Sequence, residues 1–146
     1  MTQADVNAVL NIELAVQVYP WTHGNFMDAL NSGYVCRVDD DGGEVRSYAI
    51  LMPAVDEAEL LTIGVAATWQ RKGLGRRMLN QMLETARARN MKRVFLEVRS
   101  SNVAAIAMYL STGFSVIGVR SGYYQNSNGS ENALVMACDL MGKVNG

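Results

Sequence analysis

The first ordered pattern along the chain is helical. Val6, Val9, Leu10 and Leu14 recur at a 3.6-residue period, which predicts an amphipathic helix over about residues 4–17. Pro20 ends it, because a proline pushes the residue before it out of helical backbone. Thr22 suits the cap of a second, short helix through about Asn31, closed by Gly33. The period then drops to two. Residues 34–39 (YVCRVD) and 45–52 (VRSYAILM) read as strands joined by a turn at Asp40, Asp41, Gly42 and Gly43. Residues 59–65 (ELLTIGV) read as a third strand. After a glycine-bearing turn, Leu74, Met78, Leu79, Met82, Leu83 and Ala86 form the stripe of a helix over about residues 74–89, with Asn90 as its left-handed stop. Residues 93–99 (RVFLEVR) predict a strand. Asn102 caps a helix that ends near Thr112 and is terminated by Gly113. A strand over 114–120, a polar loop over 121–132 (SGYYQNSNGSEN) and a strand over 132–140 complete the pattern.

The order is two helices, three strands, then helix, strand, helix, strand, strand. Long strand–helix–strand crossovers demand parallel pairing in the middle of a sheet, and hairpins demand antiparallel flanks. The expected fold class is therefore α/β of the mixed α+β kind. It is a mostly antiparallel sheet with a central parallel pair and helices on both faces. With 146 residues there is room for one domain, residues 1–146, around one sizeable core.

Composition acts mainly by exclusion. Apolar residues make up 49% and charged residues 18%, a globular balance. A net charge of -1 provides no general field for nucleic acid. No apolar run approaches a membrane span, and the N-terminal segment lacks the basic-then-apolar pattern of a signal peptide. Cys36 and Cys138 are expected as buried free thiols on strands in a reducing, cytoplasmic setting. One histidine, His23, and no clustered cysteines give no expected metal site. His23 reads as a surface residue at a helix start, and Asp39–Asp41 as a solvated turn.

The strongest chemical signal is Gln70-Arg71-Lys72-Gly73-Leu74-Gly75, between a strand and an amphipathic helix. Glycines let the backbone approach a ligand, the first helical N–H groups are unpaired, and the helix dipole adds positive potential. Arg71, Lys72 and Arg76 add full charges. This is an anion site suited to a pyrophosphate, although a tight strand-to-helix turn explains the glycines equally well. It lacks the third glycine and acidic partner of a dinucleotide fingerprint, and the Gly-Lys-Ser/Thr end of a P-loop. Glu97 sits on a strand between Leu96 and Val98, which project to the opposite face. A partly desolvated carboxylate there suits a base, and a solvated one paired with Arg99 or Lys92 is the plain alternative. Tyr109 is either a core aromatic or a phenol placed to act as an acid.

Gln70 to Gly75 resembles the pyrophosphate loop, Q/R-x-x-G-x-G/A, of the GNAT acetyltransferase superfamily. Leu61-Thr62-Ile63-Gly64-Val65 is similar to the strand that meets the pantetheine arm of acetyl-CoA. Leu96 to Asn102, Ala104 to Tyr109, Gly113-Phe114, Tyr19-Pro20-Trp21-Thr22 and Gly122-Tyr123-Tyr124 resemble the ribosomal-protein-alanine N-acetyltransferase (RimI) branch. The likeness spans about residues 4–138. It implies acetyl transfer from acetyl-CoA, without a metal, to the N-terminal α-amine of a protein. The implied acceptor is the N-terminal alanine of a small-subunit ribosomal protein.

It also implies roles. Glu97 is the base and Tyr109 the acid. Asn102 and the loop residues Arg71, Lys72, Gly73, Leu74, Gly75 and Arg76 hold the cofactor. Backbone N–H groups at Ile63, Gly64 and Val65 meet the thioester oxygen, with Gly64 permitting the approach. Trp21, Tyr123 and Tyr124 wall the acceptor groove. A small-molecule amine acceptor and a non-catalytic CoA-binding module remain the alternatives. One departure is visible. The family's short first strand, ahead of the first helix, is expected to be missing or very short here.

Overall fold

The computed structural model describes residues 1–126 and 129–140. A 3₁₀ turn, Gln3–Asp5, leads into α1 (Val6–Val16) and α2 (His23–Asn31). Then follow β1 (Val35–Asp41), β2 (Glu44–Ala54), β3 (Glu57–Val65), α3 (Leu74–Ala88), β4 (Arg93–Arg99), α4 (Val103–Ser111), β5 (Ser115–Asn126) and β6 (Gly129–Asp139). The six strands form one sheet in the order β1-β2-β3-β4-β6-β5. Only β3 and β4 are parallel. The helices lie on both faces, so the expected mixed fold holds. No strand precedes α1 among the described residues; the Met1 amino group alone reaches the sheet edge, donating to the Cys36 carbonyl at 2.9 Å.

Each face of the sheet has its own apolar cluster. α3 and α4 cover one face, where Met78, Leu79, Met82, Leu83 and Ala86 pack on Ala49, Leu51, Leu60, Leu96, Val98 and Met136. The whole stripe predicted for α3 is buried. α1 and α2 cover only half of the other face, where Val6, Val9, Phe26 and Ala29 pack on Val45, Tyr48 and Ile50. The β4, β6 and β5 half of that face is left open. Arg120 and Tyr123 stand there with side chains about half exposed.

Local chemistry explains most element ends. Thr22 Oγ1 accepts from the Asn25 N–H at 3.1 Å, the expected cap of α2, and His23 is exposed at its first position. Asn90, at φ +61°, is the left-handed stop after α3.

Four expectations are corrected. On α1, Leu14 is 58% exposed and Glu13 is buried in its place. The face that packs is Val6, Val9 and Glu13, spaced i, i+3 and i+7. The β1–β2 turn is only Gly42-Gly43, both at positive φ, the two-residue hairpin that fits sheet twist. Asp39–Asp41 therefore lie within β1, and Asp39 pairs with Arg46 at 2.9 Å. The loop expected over 121–132 is mostly strand, because β5 and β6 pair on to Asn126 and Gly129 across a bulge between Arg120 and Tyr124. Cross-strand pairing overrides the polar composition there. Cys138 is buried, but Cys36 is only half-buried, since β1 is the sheet edge; neither forms a disulfide among the described residues.

Candidate active site

The site begins where two strands part. β3 and β4 pair only from Glu57 and Arg93 to Glu59 and Phe95. Beyond that, β3 runs on to Val65 and β4 to Arg99 without a shared ladder. A bulge causes the parting. Register steps from Leu51↔Leu60 to Ile50↔Thr62, so Leu61 is the extra residue in β3. A bulge bends and twists its strand, and one inserted residue exchanges its faces. Before it, Ala58 and Leu60 pack under α3 and α4. After it, Thr62 turns toward α1, where its Oγ1 donates to Glu13 at 2.8 Å, and Ile63 packs toward α3 and α4 instead.

The freed edge of β3 is visible in its hydrogen bonds. The Ile63 carbonyl accepts from Gln17 Nε2 at 2.8 Å and the Val65 carbonyl from Gln70 Nε2 at 3.1 Å. A strand residue's N–H leaves on the same edge as its C=O, so the Ile63 and Val65 N–H groups face the gap. Gly64 is different. It stands opposite Tyr48 of β2, and a Cβ on it would collide with the Tyr48 phenol. Its lack of a side chain admits Tyr48, not the ligand approach expected from sequence.

A cleft of about 840 Å³ fills the gap. One end is the start of α3. Gly73 is its N-terminal flanking residue at φ +81° and supplies no side-chain cap, so the first N–H groups of the helix stay available. Arg71 is also left-handed, at φ +64°. A Cβ on Gly75 would sit 3.3 Å from Met108 Sδ and 3.5 Å from Val65 Cγ2, so that glycine lets α3 start tightly against α4 and β3. Arg71, Gly73, Leu74, Gly75 and Arg76 all line the cleft; Lys72 is exposed and does not. Unpaired N–H groups, the dipole and two arginines make this end an anion cradle.

The middle is lined by Ile63, Gly64, Val65, Asn102 and Tyr109. Asn102 Oδ1 accepts from the Ala105 N–H at 3.3 Å, the expected cap of α4. Tyr109 is 7% exposed, with its ring centroid 5.7 Å from that of Phe114. Burial, with a smaller push from Tyr124, raises its phenol to about 12. At neutral pH it is a proton donor.

The far end is acidic and aromatic. Glu97 projects opposite to Leu96 and Val98, as expected, and its Oε1 accepts from Arg120 Nη1 at 2.7 Å. Its partner is thus neither Arg99, which donates to Ser101, nor Lys92, which pairs with Asp56. The Arg120 guanidinium stacks 4.0 Å from the Tyr123 ring centroid. Tyr124 stacks on Tyr19 at 4.8 Å and Trp21 tilts against Phe26 at 5.1 Å. The β5–β6 hairpin and the segment between α1 and α2 therefore meet over the gap, and Trp21, Tyr123 and Tyr124 come together at its mouth.

Sequence reasoning missed Glu59, Glu13, Gln17 and Tyr19, all of which line the cleft. Glu59 shares the face of Glu97. Burial raises its carboxyl above the ordinary range, the Glu97 charge adds to this, and Arg120 opposes it. The alternation of Glu57 and Glu59 with Ala58 and Leu60 was the available signal. Among the described residues there is no cluster of three or more metal-ligating side chains, and no helix is long and apolar enough to cross a membrane.

A helix-terminal anion cradle joined through parted strands to a carboxylate and a phenol is acyltransferase geometry, and the chain belongs to the acetyltransferase (GNAT) family, which it matches over residues 6–114. It is 35% identical over 136 residues to ribosomal protein bS18-alanine N-acetyltransferase of Escherichia coli K12, covering 93% of this chain and 92% of that one. It is 37% identical over 134 residues to N-alpha-acetyltransferase RimI of Mycobacterium tuberculosis, covering 87% and 83%. The crystal structure of the ribosomal-protein-S18-alanine N-acetyltransferase from Escherichia coli superimposes with a TM-score of 0.89 at 33% identity, over 99% of this chain and 94% of that one.

Proposed function

We propose that this chain transfers the acetyl group of acetyl-CoA to the N-terminal α-amine of a protein, and that the acceptor is the N-terminal alanine of a small-subunit ribosomal protein. The observation that carries this reading is the cleft between β3 and β4, with an anion cradle at one end and Glu97 among aromatics at the other. The chain acts as one domain, in the cytoplasm where that acceptor is made. The relatives' names support the choice of acceptor.

The residues present fit acetyl-CoA. The α3 N-terminus, with Arg71 and Arg76, would hold the pyrophosphate. The unpaired edge of β3 would take the amides of the pantetheine arm in the manner of an added strand, with Asn102 beside it. The Ile63 and Val65 N–H groups would stabilise charge on the thioester oxygen. Trp21, Tyr123 and Tyr124 would wall the acceptor.

In the reaction the amine nitrogen bonds to the thioester carbonyl carbon and the C–S bond breaks. The proton lost by nitrogen passes to the Glu97 carboxylate, directly or through a water, and from there to solvent. An α-amine has an ordinary pKa of about 8, so one carboxylate supplies enough assistance. Tyr109 donates to the departing sulfur. A phenol held at about 12 is a weaker acid than a thiol, at about 8.5, so its main contribution is a hydrogen bond to the developing thiolate.

The deciding experiment compares intact masses of ribosomal proteins from cells with and without the gene. One small-subunit protein should lose a single acetyl group. A parallel panel of peptides, polyamines and aminoglycosides, assayed with the purified protein, should show transfer to the alanine peptide. Transfer to a small amine alone overturns the protein acceptor, and no transfer to any amine overturns the enzyme.

A further inference from the structure

Glu13 is 1% exposed in the middle of the apolar face of α1. Its partners are three neutral donors from three different parts of the chain. Oε1 accepts from Tyr48 Oη on β2 at 2.6 Å and from Thr62 Oγ1 on β3 at 2.8 Å. Oε2 accepts from the backbone N–H of Trp21, between α1 and α2, at 2.9 Å. Burying a carboxylate is costly even when it is hydrogen-bonded, and an apolar side chain beside Val6 and Val9 would serve packing better. What the carboxylate adds is direction.

Two neighbouring features extend the arrangement. Gln17, the residue that follows the end of α1, donates to the Ile63 carbonyl at 2.8 Å, on the stretch of β3 that has left β4. Gly64 leaves open the space that the Tyr48 phenol occupies on its way to Glu13. The end of α1 and the residue after it thus grip the parted half of β3 through Glu13 and Gln17, and the Glu13 carboxylate also holds the segment carrying Tyr19 and Trp21. That segment has no ladder of its own.

We propose that Glu13 is a positioning residue for the acceptor. It fixes the Tyr19–Trp21 wall of the cleft relative to the β3 backbone groups that face the thioester. This rests on the acetyl-transfer reading of the cleft. Thr62, by the same logic, acts as a donor and not as a filler.

The test uses Glu13→Gln, Thr62→Val and Thr62→Ser in the full chain. Glutamine has one acceptor oxygen and cannot serve all three donors. Valine keeps the shape of threonine without the hydroxyl, and serine keeps the hydroxyl. With an N-terminal alanine peptide, Glu13→Gln and Thr62→Val should raise peptide KM about tenfold while acetyl-CoA affinity changes less than about twofold; Thr62→Ser should match wild type. A second readout needs no acceptor. With Trp69 replaced by Phe, Trp21 is the only tryptophan, and Glu13→Gln should raise its quenching by acrylamide about twofold or more.

Peptide KM at the wild-type value in folded Glu13→Gln and Thr62→Val proteins, with only a lowered Tm, overturns the positioning role. So does an acetyl-CoA affinity that falls as far as the peptide's, or unchanged Trp21 quenching. Absence of peptide acetylation by the wild type itself refutes the proposed acceptor instead, and the quenching measurement then still decides whether Glu13 holds the wall. Should Glu13→Gln fail to fold, Thr62→Val against Thr62→Ser decides both measurements.

Discussion

Tyr109 and Glu97 differ in kind although both line one cleft. Tyr109 is buried and its phenol is held protonated, so Tyr109→Phe removes one hydroxyl and keeps the packing against Phe114. Charge on the departing sulfur develops only in the transition state. The substitution should therefore lower kcat by about tenfold or more with acetyl-CoA affinity nearly unchanged, as steady-state rates and calorimetry would show. An equal loss of affinity with kcat intact would make Tyr109 a binding residue. Glu97→Gln should slow acetylation by roughly 10²–10⁴-fold near neutral pH, and the defect should shrink as pH rises because more of the α-amine is then already neutral. A pH–rate profile of both proteins checks this; a defect that is constant with pH would mark Glu97 as an orienting group. The placement of these two residues was legible, because the strand period and the helix cap gave it, and the family likeness suggested the roles that these measurements test. Glu13 was not. Its place on the helix reads as polar flank beside Leu14, and only the tertiary arrangement of Tyr48, Thr62 and Trp21 makes burial of Glu13 tolerable. Arg120 was equally hidden, since it reaches Glu97 across β6, and sequence spacing says nothing about a neighbour two strands away.

Two elements decide how the cleft is built, the turn before α3 and the bulge in β3. The turn needs left-handed backbone at Arg71 and Gly73, and open space surrounds the missing Cβ of Gly73. Gly73→Val therefore strains the backbone and places a branched side chain where a pyrophosphate would lie. Acetyl-CoA affinity, measured by calorimetry on folded protein, should fall by about tenfold or more. Gly73→Asn separates the two effects, because asparagine tolerates the left-handed region. It should fold near wild-type stability and still bind weakly. Unchanged affinity in both would remove the turn from the cofactor site. The stretch of β3 beyond the bulge poses the opposite problem. Gly64→Ala should destabilise the fold by about 1–3 kcal/mol in urea unfolding, because its methyl meets the Tyr48 phenol and not solvent. The helices were legible to within a residue or two from period and caps. The bulge was not, because ELLTIGV reads as an uninterrupted strand and the extra residue is defined only by its partner, β2. The β5–β6 hairpin was missed for a related reason, as its polar residues are held in strands by pairing with each other.

At the scale of the whole molecule, one sheet carries two unequal coverings. α3 and α4 close one face, while α1 and α2 stop at β3 and leave Glu97, Arg120 and Tyr123 on an open floor. The end of the cleft at Glu97 is thereby accessible, and its middle is enclosed by Tyr109 and the parted strands. That enclosure has a thermodynamic consequence at alkaline pH. Burial raises the phenols of both Tyr109 and Tyr48, the first to about 12, and the negative charge of Glu13 adds to the rise at Tyr48. An unfolded tyrosine releases its proton near pH 10. Between there and the folded pKa of each group, the native state binds more protons than the unfolded state. Stability contributed by each group is therefore complete below about pH 10 and is lost as pH rises through the folded value, at a limiting slope of about 1.4 kcal/mol per pH unit. Lysines and other groups titrate in the same range, so the useful quantity is a difference. Urea midpoints of wild type and Tyr109→Phe should run parallel from pH 7 to 9, and the wild-type midpoint should then fall relative to that of Tyr109→Phe between pH 10 and 12, because phenylalanine has no proton to lose. Curves that stay parallel to pH 12 would mean that the Tyr109 hydroxyl meets solvent in the cleft, and the phenol would then titrate in the folded protein near its ordinary value.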